Sequence, residues 1–105
     1  MEPKICLERI HKIQSILTKK GVDAQFLSTG DNFAYLFGIR PLSLERLILL
    51  SIPAKGEACL IVPKLSETEF SAFSSSIQIS SWSDGEDPLT LVEEQVKKLP
   101  ENAQL

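Results

Sequence analysis

The strongest constraint on this chain is a pair of apolar runs separated by one short turn. Leu47-Ile48-Leu49-Leu50-Ser51-Ile52 is interrupted only by Ser51, and Ala58-Cys59-Leu60-Ile61-Val62 follows it after Pro53-Ala54-Lys55-Gly56-Glu57. A strand that is apolar at nearly every position has to be covered on both faces. The connection has hairpin length, with proline and glycine where a turn needs them, so the two runs are predicted to pair antiparallel. The rest of the chain then has to supply the layers that cover them.

Amphipathic segments on either side do so. Leu7, Ile10, Ile13 and Leu17, with Ile16 beside them, recur at helical spacing, and Lys19-Lys20-Gly21 supply a favourable charge and a left-handed stop. Residues 22–28 read as a strand ending in the turn Thr29-Gly30-Asp31-Asn32. A short helix follows, with Asp31 or Asn32 as its cap, Phe33, Leu36 and Phe37 on one face, and Gly38 as its end. Beyond Pro63, Leu65, Phe70 and Phe73 mark a helical stretch that Ser74-Ser75-Ser76 breaks. Ile77, Ile79 and Trp82 suggest another strand. Asp87 and Pro88 then open a last helix, whose predicted buried stripe is Leu89, Val92, Val96 and Leu99. The economical fold class is α/β, a mixed sheet with helices on both faces, in a single domain over residues 1–105. The ending 100–105 reads as the approach to a further strand.

Composition narrows the function. A net charge of −3 with scattered lysines gives no basic field for phosphates, so nucleic acid is not an expected partner. No stretch approaches the ~20 apolar residues of a membrane span, and no apolar run follows the N-terminus. Cys6 and Cys59 lie far apart and fit reduced thiols, which with the preceding point suggests a cytoplasmic location.

Catalytic constellations are missing. His11 is the one histidine, on a polar helix flank where a surface role is the expectation. Asp84, Glu86 and Asp87 fail the calcium-loop register and are explained by a turn and a helix cap. The serines of residues 71–83 sit in no nucleophile elbow, and the isolated glycines form no phosphate cradle. Glu67 with Glu69 and Glu93 with Glu94 do not face each other on their helices. No catalytic residue and no metal ligand is assigned.

Taken in order, several segments carry a resemblance. They are Arg9-Ile10-His11-Lys12-Ile13-Gln14, Lys20-Gly21-Val22-Asp23-Ala24 and, above all, Asp31-Asn32-Phe33-Ala34-Tyr35-Leu36-Phe37-Gly38. Glu45-Arg46-Leu47-Ile48-Leu49-Leu50, Val62-Pro63-Lys64-Leu65 and Trp82-Ser83-Asp84-Gly85-Glu86-Asp87-Pro88 follow. Nearly the whole chain resembles the N-terminal domain of creatinases, prolidases (Xaa-Pro dipeptidases) and Xaa-Pro aminopeptidases. The resemblance implies a ribonuclease H-like fold, here lacking its last strand and helix, and hence a piece of a longer protein.

It further implies that the chemistry lies in a separate C-terminal pita-bread domain, absent from these residues and holding two divalent metal ions in the peptidases; no cofactor belongs to this chain. The implied partners are that catalytic domain and a second copy in a homodimer, in which this domain walls the mouth of the neighbouring active site. On that basis Asn32, Tyr35 and Arg40 are the candidate contacts to substrate or partner subunit. Asn32 would fix the turn, Tyr35 and Leu36 would seat the short helix by core packing, and Arg40 would reach a carboxylate. The other expectation is a stand-alone protein- or peptide-binding module of the same fold, as in a pseudo-peptidase or in the large subunit of the histone chaperone FACT, which is similar in fold. An incomplete sheet would also expose an edge and favour self-association.

Overall fold

The computed structural model describes residues 2–38 and 47–105. Its elements are α1 (Pro3–Lys20), β1 (Ala24–Ser28), α2 (Asp31–Phe37), β2 (Leu49–Pro53), β3 (Cys59–Pro63), α3 (Glu67–Phe70) between two 3-10 turns, β4 (Gln78–Trp82) and α4 (Leu89–Lys97). Among the described residues the sheet has four strands in the order β1-β2-β3-β4. β1 and β3 each lie antiparallel to β2, and β4 runs parallel to β3. The predicted hairpin is the centre of this sheet, with Leu50 opposite Leu60 and Ser51 opposite Cys59.

Alternation along the central strands divides the core. Leu50, Ile52, Leu60 and Val62 face α1, α2 and α3, where they bury Cys6, Ile10, Leu17, Phe33, Leu36, Phe37, Phe70 and Phe73. Cys59 and Ile61 face the other way and pack with Trp82 against Leu91 and Val92 of α4. Helices therefore cover both faces, as the apolar runs require.

Four aromatic rings fill the larger layer. Phe37 lies edge-on to Phe70 at 5.6 Å and to Phe73 at 5.1 Å, while Phe33 stands 4.7 Å from Phe37. The edge-to-face arrangement aligns positive ring edges with negative ring faces. These contacts join α2 to α3 across the sheet.

Local chemistry ends the elements where the sequence places it. Gly21 closes α1 at φ 70° and Gly38 closes α2 at φ 69°, both left-handed and without strain for a residue lacking Cβ. Gln14 of α1 donates from Nε2 to the carbonyls of Pro53 and Gly56, both at 2.8 Å, which ties the β2–β3 turn to the first helix. Trp82 Nε1 donates to the Leu47 carbonyl at 3.2 Å and so satisfies the polar edge of a buried ring.

Three expectations need correction. The cap position of α2 is Gly30, and Asp31 and Asn32 both already lie in the first helical turn. Leu65 is exposed: the stretch from 64 to 73 winds as 3-10, α and 3-10 pieces, whose unequal turns bring only Phe70 and Phe73 to the core. On α4, Leu89 and Val96 are exposed, and the buried side is formed by Leu91, Val92 and Gln95. Two stripes sharing Val92 and Leu99 fit the same sequence, and apolarity alone selects the one that lacks the glutamine.

At the start of that helix Asp87 accepts the Leu89 amide at 3.0 Å, the capping role expected of it, although Pro88 stands one position before the first helical residue. At the chain's far end, Asp23 donates its amide to the Gln104 carbonyl at 2.7 Å, and its Oδ2 accepts the Gln104 amide at 2.8 Å. The predicted approach to a further strand is not seen as a strand: residues 101–105 are turn and coil, and the contact is a single residue pair just before β1.

Because Phe37 touches the other three rings, Phe37→Ala is expected to lose roughly 3–5 kcal/mol of stability in urea denaturation. Tyr35→Ala, on the exposed side of the same helix, is expected to change it by less than about 1 kcal/mol.

Candidate functional site

The expected contact segment surrounds α2. Burial of Phe33, Leu36 and Phe37 turns the opposite side of this helix outward, and it carries Asn32 and Tyr35 there. Asn32 is exposed, and Tyr35 is 57% exposed. Core packing, expected for both Tyr35 and Leu36, holds for Leu36 alone, because residues at successive helical positions point about 100° apart. Arg40 lies outside the described residues.

The structure instead brings Tyr35 to Arg9. The Arg9 guanidinium sits 3.9 Å from the centre of the tyrosine ring and donates from Nη1 to the Tyr35 carbonyl. One cation thus stacks on the ring and bonds the backbone of the same residue, locking α1 against α2. The contact joins residues 26 positions apart and so has no local signature in the sequence. What results is an amphipathic surface patch of phenol, guanidinium and amide, suited to contact with another polypeptide. It offers neither a nucleophile nor a general base.

The remaining reactive groups lie apart from it. Cys6 and Cys59 are both free and buried, on opposite sides of the sheet. Burial pushes the Cys6 thiol up from 9.0 to about 11, with the Arg9 charge pulling it partly back. Burial likewise raises Cys59, against a weaker lowering by its contact with the Ser80 hydroxyl at 3.5 Å. Such thiols are poor nucleophiles. His11 is exposed on α1. Among the described residues no three His, Cys, Asp or Glu side chains gather where a metal ion could be held. The donor set of a two-metal centre therefore does not fit these residues, and no chemical step is derived through metal here. Among the described residues no helix is long and apolar enough to cross a membrane.

This is an α/β domain with an exposed aromatic and cationic patch on α2 and α1 and no assembled catalytic group among its described residues. The model of the creatinase/prolidase N-terminal domain matches residues 9–103, and the chain belongs to that family. An uncharacterized peptidase of Staphylococcus aureus (strain bovine RF122 / ET3-1) is 32% identical over 93 residues, which cover 89% of this chain and 26% of the peptidase. A prolidase from Thermococcus sibiricus matches at TM-score 0.79 and 37% identity, over 93% of this chain and 26% of its own. The dipeptidase PepE from Mycobacterium ulcerans matches at TM-score 0.81 and 25% identity, over 92% and 27%. The chain thus spans about a quarter of the length of these relatives.

Thiol burial has a measurable sign. A folded-state pKa above the unfolded value means that Cys6 contributes stability fully below pH about 9 and loses it as pH rises toward about 11. The urea midpoint is expected to fall across that window, and to fall less steeply in Cys6→Ala. Neither thiol is expected to react with a disulfide reagent at pH 8 until the chain is unfolded, which absorbance of the released thiolate would follow.

Proposed function

We propose that this chain is the non-catalytic N-terminal domain of a cytoplasmic Xaa-Pro dipeptidase or aminopeptidase. The observation carrying the reading is the likeness to a prolidase at 37% identity over 93% of the chain. In this reading bond cleavage belongs to a C-terminal domain with two divalent metal ions, which would polarise the scissile carbonyl and activate water. The present residues act by position. The domain joins a homodimer, and the Tyr35–Arg9 surface stands at the mouth of the neighbouring site, where it limits the length of peptide that enters.

Several features support this assignment of labour. Tyr35 is held at its ring and its backbone by one cation, so it presents a rigid aromatic contact at small entropic cost. Asn32, exposed one turn earlier on the same helix, offers an amide that pairs with peptide groups. Arg40 follows the helix in sequence and would supply the carboxylate contact.

A protein that joins this domain to a C-terminal catalytic domain is the object to assay. It is expected to elute as a dimer and to hydrolyse a dipeptide with C-terminal proline in the presence of a divalent metal. The 105-residue chain alone is expected to be inactive. Tyr35→Ala in the longer protein is expected to raise KM several-fold with kcat little changed, the signature of a contact equal in ground and transition states. A longer protein that folds, binds peptides saturably and hydrolyses none of them would replace this reading with the binding-module one.

A further inference from the structure

The charges of this chain are divided between the two faces of its sheet. Helix α1 carries Lys4, Arg9, Lys12, Lys19 and Lys20 against Glu8 alone, a net +4 in a chain of formal net charge −3, so the other residues together carry −7. α1 belongs to the layer on one face of the sheet, and α4, preceded by Glu86 and Asp87, covers the other.

Each of these helices also keeps two large apolar side chains in water. On α1 they are Ile5 and Ile16, 38% and 44% exposed. At about 100° per residue the two lie about 20° apart, and Lys12, Lys19 and Lys20 fall within about 60° of Ile16, with Glu8 at the border of this flank. All three lysines are exposed. Arg9 lies in the same sector, already stacked on Tyr35.

On α4 the pair is Leu89 and Val96, 58% and 47% exposed. They too lie about 20° apart, with Glu93 about 40° from Leu89 and Lys97 about 40° beyond it at the far border. Glu93, Glu86 and Asp87 are exposed. A single exposed aliphatic side chain needs no account. Here two pairs each bracket a charge along their helix, Lys12 on α1 and Glu93 on α4, and the signs are opposite.

These flanks cannot meet within one molecule, because the sheet stands between their helices. We propose that they meet between molecules: the Ile5–Ile16 flank of α1 on one copy docks on the Leu89–Val96 flank of α4 on the next, with Lys12 facing Glu93. The occupant follows from charge, since the cationic flank repels its like and the same chain presents its anionic counterpart. The contact is heterologous and leaves each pair with a free α1 and a free α4, so it propagates as a head-to-tail chain. One helix pair buries less than the ~1,000 Å² of a lasting interface, which makes the association weak and dependent on its charges. It rests on neither the peptidase reading nor the dimer proposed with it.

Sedimentation equilibrium of the 105-residue chain at concentrations up to about 1 mM tests it. At about 20 mM salt the average mass is expected to rise continuously with concentration, with no plateau at the dimer, and to return to the monomer at about 0.5 M salt. Lys12→Glu and Glu93→Lys are each expected to weaken association roughly tenfold or more, with unchanged urea midpoints. Mixing these two variants is expected to restore it, because the first keeps its α4 flank and the second its α1 flank. A chain that stays monomeric at low salt would overturn the proposal. So would association that persists in Lys12→Glu, as strand pairing along the open edge of β1 does, or a pair of monomeric variants that stay apart when mixed.

Discussion

Everything in this structure follows from the need to dry both faces of β2 and β3. Their residues Leu50, Ile52, Cys59, Leu60, Ile61 and Val62 are fully buried, and a hairpin alone leaves one or both faces wet. The fold answers with unequal layers. A thick one of three helical elements and four phenylalanines covers one face, and a thin one of a single helix and a tryptophan covers the other. The difference shapes the surface: the thick layer presses α2 down and turns Tyr35 outward, whereas the thin layer stops short and leaves a cleft.

The parts of the fold legible in the sequence were those with strong local signals. The central hairpin follows from the apolar runs, Gly21 and Gly38 from their position after amphipathic stretches, and Asp87 from its place before Pro88. Less legible was the rotation of α4, because its buried side includes the polar Gln95 while the apolar Leu89 and Val96 face outward. Gln95 faces inward beside a cleft that Ser51 also borders. Helix caps suffered similarly: Asp31 and Asn32 have the right chemistry, but the backbone turns one residue earlier, at Gly30.

The candidate surface was legible as a segment and not as a geometry. Asp31-to-Gly38 stands out in the sequence, yet the Arg9 contact that orders Tyr35 joins residues 26 positions apart and has no local signature. Ser51 was visible as an interruption in an apolar run, and Gln95 was hidden in a polar-looking stretch of helix. That both border one cleft depends on a helix that returns across the sheet after β4, a long-range event that spacing along the chain does not encode.

The pairing of Asp23 with Gln104 reaches across 81 positions. Residue 104 is made after all four strands, so the entry to β1 stays untied while β1, β2, β3 and β4 emerge and find one another. The single pair then fixes where β1 begins without covering its outer backbone, and the order of translation decides when that end is set.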